Sequence, residues 1–281
     1  MSMGAHYKPE LTYGDYLKVP ELLQLQVCLS EPAHHDELQF IIVHQVYELW
    51  FKLMLHEIDE AMARLNRDDV RTATRLMRRV IGIQKVLLQQ IEVLESMRPV
   101  DFLGFRNHLK PASGFQSWQF RELEFVSGGK DQAFLRHHQD DELAMARLRK
   151  RWEEPSLRDV FFDVLRRQGF QIPPGSEFDE ETQRQCINEL REIHAEPDRY
   201  HDVYQLCEAL IEYDEHFILW RDRHVRMVER MIGKKEGTGG SEGVLYLETT
   251  MAKRFFPELW AVRTELDGGG APRPYGQGAI G

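Results

Sequence analysis

DELQFIIVHQVYELWFKLMLHEIDEAMARLNRDDVRTATRLMRRVIGIQKVLLQQIEVLESM, residues 36–97, decides the fold. From Asp36 to Leu65 apolar residues recur every three or four positions, the period of one face of an α-helix. The polar break NRDD follows. The pattern then resumes from Val70 to Met97 through Ala73, Met77, Val80, Leu87, Ile91 and Leu94, which predicts two long helices joined as an antiparallel hairpin.

The rest of the chain repeats the helical signal. RPVDFLGFRNHLKPASGFQS interrupts it with Gly104, Pro111 and Gly114, which predicts a short helix and a loop before a helix from about Phe115 to Val126. Two less regular helices follow. In EPSLRDVFFDVLRRQG, Ser156 and Asp159 have capping-box spacing and Gly169 suits a helix stop. Helices are expected over Asp179 to His194, Tyr200 to Ile232 with Gly233 as its end, Leu245 to Lys253, and Pro257 to Leu266. Alternating strand patterns are nearly absent and no repeat is found. The expected architecture is all-α: one domain over residues 1–266, a bundle of long antiparallel helices, with a disordered Gly/Pro tail over 267–281.

Composition excludes several classes of function. The 281 residues are 42% hydrophobic with a formal net charge of -10, which disfavours nucleic acid, because binding phosphates requires a clustered excess of Lys and Arg. No stretch approaches the roughly 18 consecutive apolar residues of a membrane span, and the N-terminus lacks a signal-peptide pattern. Cys28, Cys186 and Cys207 are far apart and form no C-x-x-C pair, which fits a reducing cytoplasm.

Two histidines stand out. Phe217, Trp220, His224, Met227, Val228 and Met231 share one helical stripe, so His224 is expected in a dry environment. Such a residue is either a core histidine bonded to a neighbour or a ligand. His44 sits likewise with Phe40, Tyr47 and Phe51, and two buried histidines on separate helices can face each other across a flat cofactor. Other metal readings fit worse. His56-Glu57 is not completed to H-E-x-x-H, and the one E-x-x-H, Glu31 to His34, is broken by Pro32. Twelve residues put His44 and His56 about 18 Å and about 120° apart on one helix. An iron held axially by a lone histidine remains, and haem is the usual chelate that needs so few protein ligands. Arg106, just before a turn, suits a carboxylate through its planar fork, or forms a surface ion pair. GTGGS, Gly237 to Ser241, is either a flexible linker or a loop that closes over a small polar ligand with its backbone N–H groups and Thr238.

The series LTYGDYL, EPAHHDELQFIIVHQVYELWFKL, GFRNHLKPASGFQSWQFRELE, LWRDRHVRMVERMIGKKEGTGGSEGV and FFPELWAVRT resembles the tryptophan 2,3-dioxygenase family, in order, from Leu11 to Thr264. The middle, Gly128 to Pro197, matches least clearly. The resemblance implies a cytoplasmic, all-helical homotetramer with one haem b per subunit. It also implies the family's reaction, cleavage of the indole C2–C3 bond of L-tryptophan by O2 to N-formyl-L-kynurenine, the first step of the kynurenine pathway. By the same resemblance His224 is the axial iron ligand and His44 the distal histidine near the indole N–H. Arg106 pairs with the substrate carboxylate, Thr238 contacts the amino acid end, and Phe40 and Phe102 wall the indole. Some members carry Tyr at the position of Phe102. Ser113 stands near the distal side of the haem. Tyr13, Tyr16 and Leu17 belong to an N-terminal segment, residues 1–20, that reaches a neighbouring subunit's pocket. Two alternatives stand beside this reading: a related helical haem enzyme that inserts one oxygen into an indole, and a non-enzymatic helical scaffold.

Overall fold

Helices α3 (His35–Leu65) and α4 (Val70–Glu95) form where the apolar spacing places them, preceded by the short helices α1 (Tyr13–Leu17) and α2 (Val19–Leu22). This computed structural model of the chain describes residues 11–233, 235, 251 and 253–266. Both α3 and α4 start on a side-chain cap. His34 Nδ1 accepts the Asp36 N–H, and Asp69 accepts the Thr72 N–H at 3.2 Å. The hairpin is antiparallel, as its cross-links show. Gln39 reaches the Val93 carbonyl, Gln90 donates to the Val43 carbonyl at 2.8 Å, Tyr47 Oη to the Leu87 carbonyl at 2.7 Å, and Arg79 pairs with Glu57 at 2.7 Å.

The third long helix, which we number α10 (His201–Ile232), is 32 residues long and stops at Gly233, whose φ of 60° suits a residue without Cβ. It runs parallel to α4. Arg71 pairs with Asp202, Gln84 donates to the Tyr213 carbonyl, Lys85 pairs with Glu212, and Arg223 with Glu95. Helix α4 therefore packs along both α3 and α10, which are antiparallel to each other and meet mainly through large side chains such as Tyr47 and Trp220, ring centroids 6.3 Å apart. Ile58, Ala61, Leu65, Met77, Val80, Leu206 and Tyr213 are sealed in the resulting core. Each large apolar side chain so buried contributes about 1.5–3 kcal/mol.

Around this trio lie α5 (Pro99–Arg106), α6 (Trp118–Ser127), α7 (Glu142–Glu153), α8 (Leu157–Arg167), α9 (Glu180–Ala195) and α11 (Pro257–Ala261). The Ser156/Asp159 capping box opens α8, and Gly169, at φ 96°, lies just past its end. Helix α6 begins three residues later than the expected Phe115. Ser113 and Gln116 close a separate 3-10 turn over Gly114–Gln116, and the Ser117 hydroxyl accepts the Phe120 N–H to start the helix proper. The segment expected as a helix from Pro257 to Leu266 divides into α11 and a 3-10 turn, Val262–Glu265. It is fastened to α10 by Asp214, fully buried, which accepts the Phe255 and Phe256 N–H groups and the Trp260 indole N–H. No strand occurs among the described residues, so the fold is all-α. The expected helix over 245–253 lies outside the described residues apart from Met251 and Lys253, and so does the tail over 267–281. No helix among the described residues is long and apolar enough to cross a membrane.

Candidate functional site

Where α3 and α10 diverge, their facing side chains leave a cavity of about 310 Å³, completed by α5, α6 and the turn between them. Its size is that of a small-molecule or cofactor site, and most of its lining is apolar.

His44 enters from α3. Its Nδ1 lies 2.7 Å from the Phe40 carbonyl one turn earlier. A carbonyl only accepts, so Nδ1 carries the proton and Nε2 keeps its lone pair. The Phe40 ring lies beside it, centroids 4.1 Å apart. Burial pushes the pKa of His44 below the usual histidine range, against the Phe40 hydrogen bond and the charge of Glu48, which work upward. Its ring lines the cavity and is open to it.

His224 enters from α10. Trp220, one turn earlier, stacks on it with planes 8° apart. Burial pushes its pKa down to about 4, with the nearby positions of His44 and Arg121 adding to the effect. The ring is neutral near pH 7. Its nitrogens make no hydrogen bond with any described residue, and the ring lines the cavity. A neutral imidazole with an unused lone pair on a cavity wall is the form that ligates iron. Among the described residues no group of three His, Cys, Asp or Glu side chains could hold a metal ion without a chelate.

The short helix α5 closes one flank. Pro99 stands in its first turn and Arg106 in its last. Phe102 and Phe105 meet at 5.4 Å and each lies 5.7 Å from Phe40, forming an aromatic wall from which Arg106 follows one turn after Phe102. Ser113, the cap of the 3-10 turn, lines the cavity too.

Six of the expected site residues thus converge: Phe40, His44, Phe102, Arg106, Ser113 and His224. Tyr13, Tyr16 and Leu17 do not join them within this chain. Helix α1 lies away from the cavity with Tyr13 78% and Tyr16 72% exposed. Thr238 and the GTGGS loop lie outside the described residues. Sequence reasoning missed four charged residues of the lining. Arg121 pairs with Glu124, Glu124 accepts from Arg221 at 3.1 Å, and the Arg121 guanidinium lies 3.9 Å from the centre of the Phe134 ring. Nothing in the local pattern of α6 announces a buried pair with a residue 97 positions away. Glu48 is the fourth, and its signal was available: it follows His44 by four residues, on the same helical face.

Comparison with known proteins gives the arrangement its relatives. The family model described as tryptophan 2,3-dioxygenase matches residues 4–192 and 190–266. Proteins named tryptophan 2,3-dioxygenase from Nocardioides sp. and Herpetosiphon aurantiacus are 47% and 46% identical, over 92% and 91% of this chain and 95% and 98% of their own lengths. The one from Myxococcus xanthus is 42% identical over 91% of this chain and 89% of its own. The match runs through α3, α5 and α10, the helices that bring His44, Arg106 and His224 to one cavity, and the chain belongs to the tryptophan 2,3-dioxygenase family.

Proposed function

We propose that the chain cleaves the C2–C3 bond of the indole ring of L-tryptophan with O2, giving N-formyl-L-kynurenine, the first step of tryptophan breakdown by the kynurenine pathway. The observation that carries this reading is the pair His44 and His224, presented by different helices to one apolar cavity, both held neutral by burial and differing in what their nitrogens do. His44 has a proton committed to Phe40 and an acceptor left over. His224 makes no hydrogen bond with any described residue.

That difference divides the labour. His224 would hold the iron of one haem b per subunit, and the unpaired neutral ring fits that role. When bound, the haem supplies the binding and activation of O2. The remaining work falls to side chains. The planar fork of Arg106 binds the substrate carboxylate. Phe40 and Phe102 flank the indole, burying it and excluding water. His44 Nε2 accepts the indole N–H and sets the ring's orientation. An indole N–H is far less acidic than an imidazolium whose reference pKa is about 6.5, so accepting a hydrogen bond is the easier task than removing the proton. Ser113 adds a hydroxyl to the distal wall, and Thr238 contacts the amino acid end. Both atoms of O2 enter the product, so turnover consumes no external reductant.

What this chain leaves uncovered supports a reading of the assembly. Tyr13, Tyr16, Leu17, Leu23, Leu25 and Val27 are exposed in one N-terminal segment, and a run of exposed apolar side chains is a feature of interaction surfaces. We place that segment against the pocket of a neighbouring copy, in a homotetramer located in the cytoplasm. Deleting residues 1 to 17 should lower activity and weaken assembly, and full activity in a truncated monomer would contradict the placement.

Incubation of the purified protein with L-tryptophan and doubly labelled O2, read by mass spectrometry, tests the reaction. Incorporation of both labelled atoms supports dioxygenation. One labelled atom indicates a single-oxygen insertion, and a colourless folded protein without a Soret band indicates a scaffold.

A further inference from the structure

Glu48 stands one turn beyond His44 on α3 and lines the same cavity. A carboxylate on such a wall is costly unless donors satisfy it. They come from the start of α6. The Ser117 hydroxyl donates to Oε1 at 2.6 Å, while the Gln119 amide donates to Oε2 at 2.8 Å and to the Glu48 backbone carbonyl at 2.9 Å. Both Gln119 partners are acceptors, which assigns the orientation of its amide. Ser117 simultaneously accepts the Phe120 N–H, so its one hydroxyl caps α6 and grips α3. Just upstream, Ser113 donates its N–H to Gln116 Oε1 and closes the turn that brings Ser113 and Phe115 to the cavity. The strap over residues 113–117 is therefore tied through the Glu48 carboxylate to the helix that bears His44.

Its charge is the second part of the geometry. No cation pairs with Glu48 among the described residues. The other charged or titratable groups lining the cavity with His44 are Tyr47 from α3 itself, Arg106 from α5, Arg121 and Glu124 from α6, and Arg221 and His224 from α10. Glu124 is engaged by Arg121 and Arg221. Glu48 is thus the carboxylate of the lining left without a cationic partner. We propose that Glu48 is a positioning residue of the reaction: its carboxylate fixes the Ser113–Ser117 strap against the turn of α3 that carries His44 and keeps the His44 ring nitrogen a good hydrogen-bond acceptor. The proposal rests on the tryptophan-cleaving reading for its consequence in turnover, but its physical content is separately measurable. The Glu48 charge acts to raise the pKa of His44 against burial.

The test compares Glu48→Gln, Glu48→Asp and Ser117→Ala. The His44 ring is titrated by NMR of the purified protein labelled at histidine, in the diamagnetic ferrous carbon monoxide state where haem is bound. Kinetics with L-tryptophan are measured alongside. Glu48→Gln should move the His44 titration to lower pH. Ser117→Ala leaves the charge in place, so it should leave that titration where it is and raise KM for tryptophan about fivefold, the loss expected for one hydrogen bond holding the wall. Glu48→Asp keeps the charge and withdraws it from Ser117, so it should behave like Ser117→Ala in both readouts, and if Glu48→Gln does not fold, the KM values of these two variants decide whether the carboxylate ties down the strap. An unmoved His44 titration in Glu48→Gln, or a KM in Ser117→Ala equal to that of the parent, overturns the proposal. If the parent protein turns over no tryptophan, the functional reading fails, and the His44 titration still decides whether Glu48 acts on that ring.

Discussion

Trp220 lies flat against His224, the two ring planes 8° apart and their centroids separated by 5.0 Å. Four residues apart on α10, they are neighbours by helical geometry, and the indole blocks one face of the imidazole. Stacking of this kind is worth about 0.5–1.5 kcal/mol beyond area burial. Trp220→Leu should therefore release haem roughly three- to tenfold more readily, read as the rate of haem transfer to an acceptor apoprotein. His224→Ala should fold, by circular dichroism, and hold haem poorly. Unchanged haem content and ferrous spectrum in His224→Ala would remove this residue from iron ligation.

Arg106→Ala separates substrates by charge. A charge-assisted pair contributes about 1.5–3 kcal/mol, so loss of the guanidinium should lower kcat/KM for tryptophan by roughly ten- to a hundred-and-fiftyfold. Tryptamine lacks the carboxylate and should be little affected. Measured side by side, the two substrates should converge in the variant.

His44→Ala tests whether the ring positions the indole or moves a proton. With Nδ1 donating to the Phe40 carbonyl, the available function is acceptance at Nε2. The variant should retain haem and lose on the order of 1–3 kcal/mol of transition-state stabilisation, roughly five- to a hundred-and-fiftyfold in kcat/KM. Tryptophan methylated at the indole nitrogen should lose its disadvantage in that variant. Complete loss of turnover with normal binding of tryptophan and O2 would instead assign proton transfer to His44.

Asp159 supplies a pH dependence of stability. Burial works to raise its pKa, but hydrogen bonds from the Ser156 N–H at 2.7 Å, the Ser156 hydroxyl at 2.6 Å and the Ser176 hydroxyl outweigh it and hold the carboxyl below the usual aspartate range. A depressed folded-state pKa means that the contribution is fully present above the ordinary aspartate range and is lost as pH falls through the lower folded value. Asp159→Ala should cost about 1–2 kcal/mol at neutral pH, the scale of a lost helix cap. The gap between variant and parent in urea midpoint should narrow as the solution is acidified.

The three long helices were legible because each buries a face long enough for the 3.6-residue period to dominate the sequence. The start of α6 was not, since Ser113 and Gln116 satisfy each other locally and delay the helix to Trp118. Periodicity also put His44 and His224 on apolar stripes. It said nothing of Arg106 or Ser113, which sit in a short helix and a turn and became candidates through a carboxylate-binding chemistry and a resemblance. Glu48 escaped notice because a glutamate in a helix ordinarily reads as a solvated position. The Arg121, Glu124 and Arg221 cluster requires α6 and α10 to be adjacent, which only tertiary structure supplies.

Helix α4 contributes two side chains to the cavity wall, Ile91 and Leu94, and none of the candidate chemistry. Yet it is the shared rail along which both histidine helices are registered, α3 in one direction and α10 in the other. A slip of α10 by one residue along that rail would lift His224 by about 1.5 Å and turn it by about 100°, off the cavity altogether. The rungs that oppose such a slip are Arg71 with Asp202, Lys85 with Glu212 and Arg223 with Glu95, pairs of which no side chain lines the cavity. The alignment of the two histidines is thus a vernier read off a third helix, and its graduations are written in residues that never meet tryptophan.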